Sequence, residues 1–351
     1  MLDELPTLPS HGTTLFRGLH LDAFSLDLPE GPGQLGDRAS HRAFDERIDA
    51  WRHTARRGGP DPFGPLNGDR PHREKLDDAL VSGTVEAAGI VHSAIEDYAG
   101  ALTEVVRRFL VLPEWQGTQR VLIGGGLRSA RIGEVAIGRA GVLLRAEGVP
   151  VRLTPIRHHP DEAGLIGALR LVPPEVLAEC DAVLTADLGG TSFRAGAVLP
   201  RLGVAPDLKA AGVWRSRHWR HDTEEVGRAD ALGALAGMLG DLASEAAGAR
   251  ITLAPVVAVG LPGVPDAEGR LVRGAENLPG DWHEEGFRPA EALARLLPLD
   301  GGGHPTVVLH NDAVLQGLSE AAFLRDVSRW GVLTVGTGLG NARFTNRAFR
   351  R

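Results

Sequence analysis

From about residue 75 onward, short apolar runs alternate with stretches of helical spacing, the pattern of an α/β protein. QRVLIGG (119–125) reads as a buried strand, followed by a helix over about 129–147 and the short strand VPVRLTP (149–155). The next helix begins near Asp161 and Glu162, whose carboxylates suit a first turn. DAVLTADLG (181–189) is a strand, and TSFRAGAVLP alternates as a returning one, so Leu188 to Thr191 form a hairpin tip in which Gly189 and Gly190 take torsions closed to other residues. A helix over about 223–247 keeps Leu232, Leu235, Leu239 and Leu242 on one face. Then come ITLAPVVAVGLPG (251–263), a Pro/Gly-rich loop to about 282, a short helix, TVVLHND (306–312), a helix to about 325 and WGVLTVGTGLGNARF (330–344).

The first 75 residues are Pro/Gly-rich, with one helix expected over about 40–56. At 351 residues and 43% hydrophobic content the chain exceeds the ~250–300 residues at which single cores divide, so two lobes are expected. The formal charge of −7 argues against nucleic acid or anionic lipid as partner. The basic, aromatic WRSRHWRH (214–221) therefore reads as a solvated strand end. Neither Lys75 nor Lys209 stands in a GxxxxGK[ST] phosphate loop. Cys180 is the sole cysteine, which excludes an internal disulfide and a multi-cysteine structural zinc site and fits a reducing, cytoplasmic setting. The first residues lack the basic and apolar regions of a secretory signal, and no apolar run reaches the ~18–20 residues that span a bilayer.

Two segments share one design. ADLGGTSFRAG (186–196) and VLTVGTGLGNARF (332–344) each end an apolar strand in a Gly-rich tip with one threonine. Backbone N–H groups at Gly189, Gly190, Gly336 and Gly338, with the hydroxyls of Thr191 and Thr337, suit a polyphosphate. Asp187 suits Mg²⁺ held through water, and Arg194 suits phosphate charge. Two ordinary hairpin turns are the alternative. In TVVLHNDAVLQG a strand delivers Asn311 and Asp312 to a helix start, where Asp312 can accept a hydroxyl proton as a general base or simply cap the helix. GAENLPGDW (274–282) carries Glu276 and Asn277, able to bond vicinal hydroxyls, or is only a proline turn. In IGGGLRSAR, Gly124, Gly125 and Gly126 would let a base or ribose approach the backbone, and their spacing misses the dinucleotide fingerprint.

DLGGTSFRAG resembles the first phosphate motif of hexokinases and glucokinases, and VGLPGV with AENLPGDW resembles the sugar loop of the ROK (repressor, ORF, kinase) sugar kinases. HNDA is similar to that family's catalytic segment, LTVGTGLG to its second phosphate motif, and VLIGGG and DEAGLIGAL to its adenosine strand and closing helix. The family's order is phosphate one, sugar loop, catalytic Asp, phosphate two, adenosine strand, closing helix. Here the last two come first, so the chain resembles a circular permutant. The resemblance implies a two-lobed actin-like ATPase fold of ribonuclease H-like type. Its smaller lobe would cover 163–304, and its larger lobe would be assembled from 1–162 and 305–351. It implies an ATP- and Mg²⁺-dependent, glucokinase-like hexose kinase with ATP and sugar in the cleft between lobes. Asp312 would be the general base, with Asn277, Glu276 and Asn311 on sugar hydroxyls; a homodimer is a family expectation. The family's ExGH sugar contacts and His/Cys zinc cluster are not recognisable, with His11 the one weak match to ExGH, so a non-catalytic sugar sensor of the ROK type is the alternative.

Overall fold

The computed structural model of the chain describes residues 10–31, 33–64, 71–222, 225–297, 303–336 and 338–347. It divides into two compact units: unit 1 comprises 1–25, 161–326 and 345–351, and unit 2 comprises 26–160 and 327–344. The break near 161 falls beside the expected lobe boundary. Residues 1–25, 305–326 and 345–351, grouped with the larger lobe in the sequence reading, cluster with unit 1.

Unit 1 is built on a five-stranded mixed sheet with the spatial order Thr306–Asn311, Leu253–Leu261, Ala182–Leu188, Ser192–Leu199, Gly212–Arg220. The first three are parallel, and the last three form an antiparallel meander. This is the arrangement expected of a ribonuclease H-like core. Strand alternation sorts the side chains: Leu184, Ala186 and Leu188 enter the core that holds Leu232, Leu235, Leu239 and Leu242 of the helix Arg228–Gly248. Burying each leucine contributes roughly 1.5–3 kcal/mol, which fixes the helix on that face. Asp187 therefore points to the other face, where the helices Pro160–Gly167 and Asp312–Glu320 lie. These two approach closely, since a Cβ on Gly167 would sit 1.7 Å from the Leu315 carbonyl oxygen.

The register across this sheet aligns Arg194 with Asp187, Asp187 with Gly260 and Gly260 with His310. The parallel strands thus bring their carboxyl ends to one edge, where α/β sheets commonly bind ligands. His310 is fully buried between the rings of Phe16 and Phe24. Its Nε2–H donates to the Thr13 carbonyl at 2.8 Å and its Nδ1 accepts from the Asn311 N–H at 2.7 Å, which fixes a neutral tautomer. Burial holds its pKa down to about 4. Residues 11–24 are thereby fastened to the strand that delivers Asp312.

In unit 2 the neighbouring strands run in the order Leu339–Asn346, Arg329–Val335, Arg120–Gly125, Arg152–Pro155, the last three parallel. The helix Val85–Leu110 packs on Arg131–Ala146. The sequence reading names no element between 57 and 118, yet Val85–Leu110 shows ordinary start and stop chemistry. Thr84 accepts from the Ala87 N–H, Glu86 sits in the first turn, and Arg107 and Arg108 occupy the last. The expected N-terminal helix is His41–Ala55, capped by Ser40. No described helix is long and apolar enough to cross a membrane.

Candidate active site

Asp187 ends its strand buried, only 4% exposed. Two glycines make room for its carboxylate. A Cβ on Gly164 would fall 2.7 Å from both Cγ and Oδ2 of Asp187, and one on Gly260 would fall 3.4 Å from Oδ1 and 3.5 Å from the Cα of Asp312. Gly164 lies in the helix DEAGLIGAL and Gly260 in VGLPGV, so four sequence segments meet at one carboxylate. Neither glycine stood out in the sequence, because their demand is for space next to a distant residue.

Burial pushes Asp187 up to about 6, with the nearby Arg194 opposing and Asp161 adding. The guanidinium Nε of Arg194 donates to Asp161 at 2.7 Å, so its charge is shared between two carboxylates. Asp312, half-buried at the first position of its helix, is pushed up to about 7 by burial and then by the negative charge of Asp187; its bond from the Ala313 N–H works the other way. A carboxyl group titrating near neutrality beside a second acid is suited to exchange a proton.

Asn311 is buried and both ends of its amide are engaged. Oδ1 caps the helix by accepting from the Val314 N–H at 3.2 Å, and Nδ2 donates to the Gly263 carbonyl at 3.0 Å. Its observed contacts are therefore with the chain, and they aim Asp312. Gly263 has φ +122°, and a Cβ there would meet the Arg273 carbonyl oxygen at 2.5 Å, which packs the LPG turn onto the start of the 274–282 loop.

That loop is anchored by Leu278 and Trp282, both buried, with the Trp282 N–H bonded to the Pro279 carbonyl at 2.9 Å. Anchoring these two leaves Glu276 and Asn277 facing outward, exposed. Together with Gly190 they line a concavity of about 550 Å³ that also carries His221, Asp222 and Glu225.

The tip between the strands of Asp187 and Arg194 corrects one expectation. Neither Gly189 nor Gly190 has a positive φ. Gly190 is required instead by proximity, since its Cβ would come 2.8 Å from that of Asn277. Thr191 is exposed at the tip, and its carbonyl accepts from the N–H groups of His221 and Asp222 at 3.1 and 3.4 Å. His221, from the stretch read as a solvated strand end, is buried against Phe193 with Nε2 3.0 Å from the Gly189 carbonyl. It braces the tip, a role its basic sequence context concealed.

In unit 2 the glycines expected beside a nucleoside have neighbours of their own. A Cβ on Gly125 (φ +86°) would lie 1.9 Å from the Val335 carbonyl oxygen, and one on Gly126 would lie 2.7 Å from the His41 ring; Gly124 pairs with Thr334. The freedom of Gly125 and Gly126 thus serves contact with protein, and His41 covers the face of Gly126. Gly336 donates its N–H to the Gly338 carbonyl at 2.9 Å, and its own carbonyl accepts from the His41 N–H at 3.3 Å. Nothing lies within 4 Å of a Cβ on Gly338, and Thr337 lies outside the described residues. Among the described residues no group of three or more His, Cys, Asp or Glu is placed to hold a metal ion.

No protein-family model matches the chain, and no curated protein matches it. Among solved structures it is similar to the ROK hexokinase from Thermus thermophilus, with 24% identity over 46% of this chain and 45% of that one, TM-score 0.30. A second is the Lmo2764 protein from Listeria monocytogenes, with 21% identity over 47% of each chain, TM-score 0.32. A third is an exopolyphosphatase from Cytophaga hutchinsonii, with 17% identity over 50% and 51%, TM-score 0.21. The matched region spans about half the length of each relative. The chain is an α/β protein that resembles, over part of its length, sugar kinases of the ROK group.

Proposed function

We propose that the chain is an ATP-dependent sugar kinase that transfers the γ-phosphoryl group of ATP to a hydroxyl of a hexose. The observation that carries this reading is Asp312, a carboxyl group raised to about 7 at a strand-to-helix junction, aimed by Asn311 and set beside Asp187 across Gly260. In this role Asp312 accepts the hydroxyl proton as the oxygen attacks phosphorus, and Glu276 and Asn277 bond neighbouring hydroxyls. Asn311 holds Asp312 and the LPG turn in register, with the sugar-contact role as a further assignment.

Mg²⁺ fits Asp187. A buried carboxylate raised to about 6, with Arg194 shared with Asp161, lacks full compensation, and a hydrated cation would supply it. Such an ion would neutralise charge on the phosphates. Gly189, Gly190 and Thr191 in unit 1 are assigned to phosphate; in unit 2 Gly336, Thr337 and Gly338 are likewise assigned to phosphate and the 124–126 segment to a nucleoside. The permuted order is part of the proposal. It is supported by the Arg347 N–H, which donates to the Gly18 carbonyl at 2.9 Å and sets the two end regions of unit 1 side by side.

The test is ATP-dependent phosphorylation across a hexose panel by wild type and Asp312→Asn. Turnover of at least one hexose, lost in the variant by about 10²–10⁴, is expected. Saturable sugar binding with no turnover by wild type would favour the sensor reading, and a fully active variant would remove Asp312 from the mechanism.

A further inference from the structure

Unit 1 holds a second concavity, of about 1220 Å³, that shares no residue with the candidate site. It lies toward the other end of the helix that begins with Asp312, since Ala321 and Arg325, beyond that helix's last turn, line it. Its cationic residues are Arg17, Arg170, Lys209, Arg325 and Arg347, against the two carboxylates Glu175 and Asp207. On a chain with a formal charge of −7 this is a local reversal of sign.

Two of these cations, Arg170 and Arg325, are held in place by bonds to the chain. Arg170 is half-buried, with Nε donating to the Leu318 carbonyl at 3.0 Å and Nη2 to the Asp207 carbonyl at 3.1 Å, both uncharged acceptors. Burial, and then the opposing positive charge of Arg325, hold its pKa down to about 10. The Asp207 carboxylate is bonded to Arg325 at 3.0 Å and offsets part of that opposition. Lys209 stands over the Phe323 ring at 5.5 Å, exposed. Leu15 and Val204, exposed apolar side chains, supply a wall beside the cations.

We infer that this concavity binds an organic phosphomonoester, its dianionic phosphate between Arg170 and Arg325 and its carbon body against the apolar wall. Guanidinium groups bond phosphate oxygens in pairs, and the volume suits a metabolite. The site is independent of the kinase reading. Because Arg170 also bonds a carbonyl in the last turn of the Asp312 helix, an occupant there acts on the element that carries the candidate base.

The experiment is calorimetric titration of the full chain, without nucleotide, using glycerol 3-phosphate, glucose 6-phosphate and inorganic phosphate at low and moderate salt. Saturable binding of both esters, weakened by salt, is expected. Arg347→Glu should lower affinity by about tenfold or more with an unchanged melting temperature, and Arg325→Glu should lower it likewise at some cost in stability, since it also breaks the bond to Asp207. Should Arg325→Glu fail to fold, Lys209→Glu, at an exposed position, takes its place. The inference is overturned if neither ester binds or if inorganic phosphate binds as tightly as the esters. It is also overturned if the charge-reversed variants bind like wild type, which would place the ligand elsewhere, including the candidate active site.

Discussion

The carboxylate of Asp187 occupies the space that a side chain on Gly164 would need, with 2.7 Å from the would-be Cβ to the Asp187 Cγ. A residue in one helix is therefore held to glycine by a residue in a strand more than twenty positions later. Gly164→Ala should cost about 1–3 kcal/mol in chemical denaturation and abolish most phosphoryl transfer, because the carboxylate must move. Gly138→Ala is the control, in a helix with nothing within 4 Å of the new methyl, and it should raise stability by roughly 0.5–1 kcal/mol. Equal stability of the two variants would sink the packing argument.

Asp312 should make activity and stability respond oppositely to pH. A base raised to about 7 is one-tenth deprotonated near pH 6, so kcat/KM should rise about tenfold per unit below 7 and level off above it. Its folded-state pKa lies above the unfolded carboxylate value, so the folded state holds the extra proton and stability falls as pH rises from about 4 to about 7. Asp312→Asn should therefore be more stable than wild type at pH 8, by on the order of 2–4 kcal/mol, with the difference shrinking to nothing near pH 4. Denaturation midpoints at several pH values check this.

The sign reverses for His310. Its folded pKa of about 4 lies below that of an exposed histidine, so the unfolded chain takes up the proton first and stability is lost as pH falls from about 6.5 through 4. A pH-independent His310→Asn, compared with wild type by thermal melting, should be the less stable protein at pH 7.5 and narrow the gap at pH 5. A gap that stays constant would mean the imidazole is not buried neutral.

Asn311→Ala removes the cap on the Asp312 helix and leaves the Gly263 carbonyl without its donor. A loss of about 1–3 kcal/mol is expected, together with a fall in kcat, since Asp312 loses its aim. If Asn311 acts through position alone, the sugar KM should change less than kcat.

Gly190→Ala would bring a methyl 2.8 Å from the Cβ of Asn277. Displacing Asn277 should raise the hexose KM by about tenfold with a smaller effect on kcat. An unchanged KM would separate Asn277 from sugar binding.

The sequence by itself determined what depends on neighbours along the chain. Alternation and turn residues set the strands of Asp187, Arg194 and Asn311 and the helix that begins at Asp312, and the leucines at 232, 235, 239 and 242 set the buried face of their helix. In the 274–282 loop the sequence shows Glu276 and Asn277 beside a proline turn, whereas the anchoring of that loop by Leu278 and Trp282 is seen only in the folded chain. Only the tertiary structure decided which of these meet. The register across the parallel strands puts Asp187, Gly260 and His310 in one row, and no local pattern carries the relative alignment of strands separated by whole helices. The need for Gly164 and Gly260, the buried place of His221 and the covering of Gly126 by His41 are matters of distance between remote segments. So is the raised pKa of Asp312, because a pKa is set by what surrounds a group after the chain has closed around it.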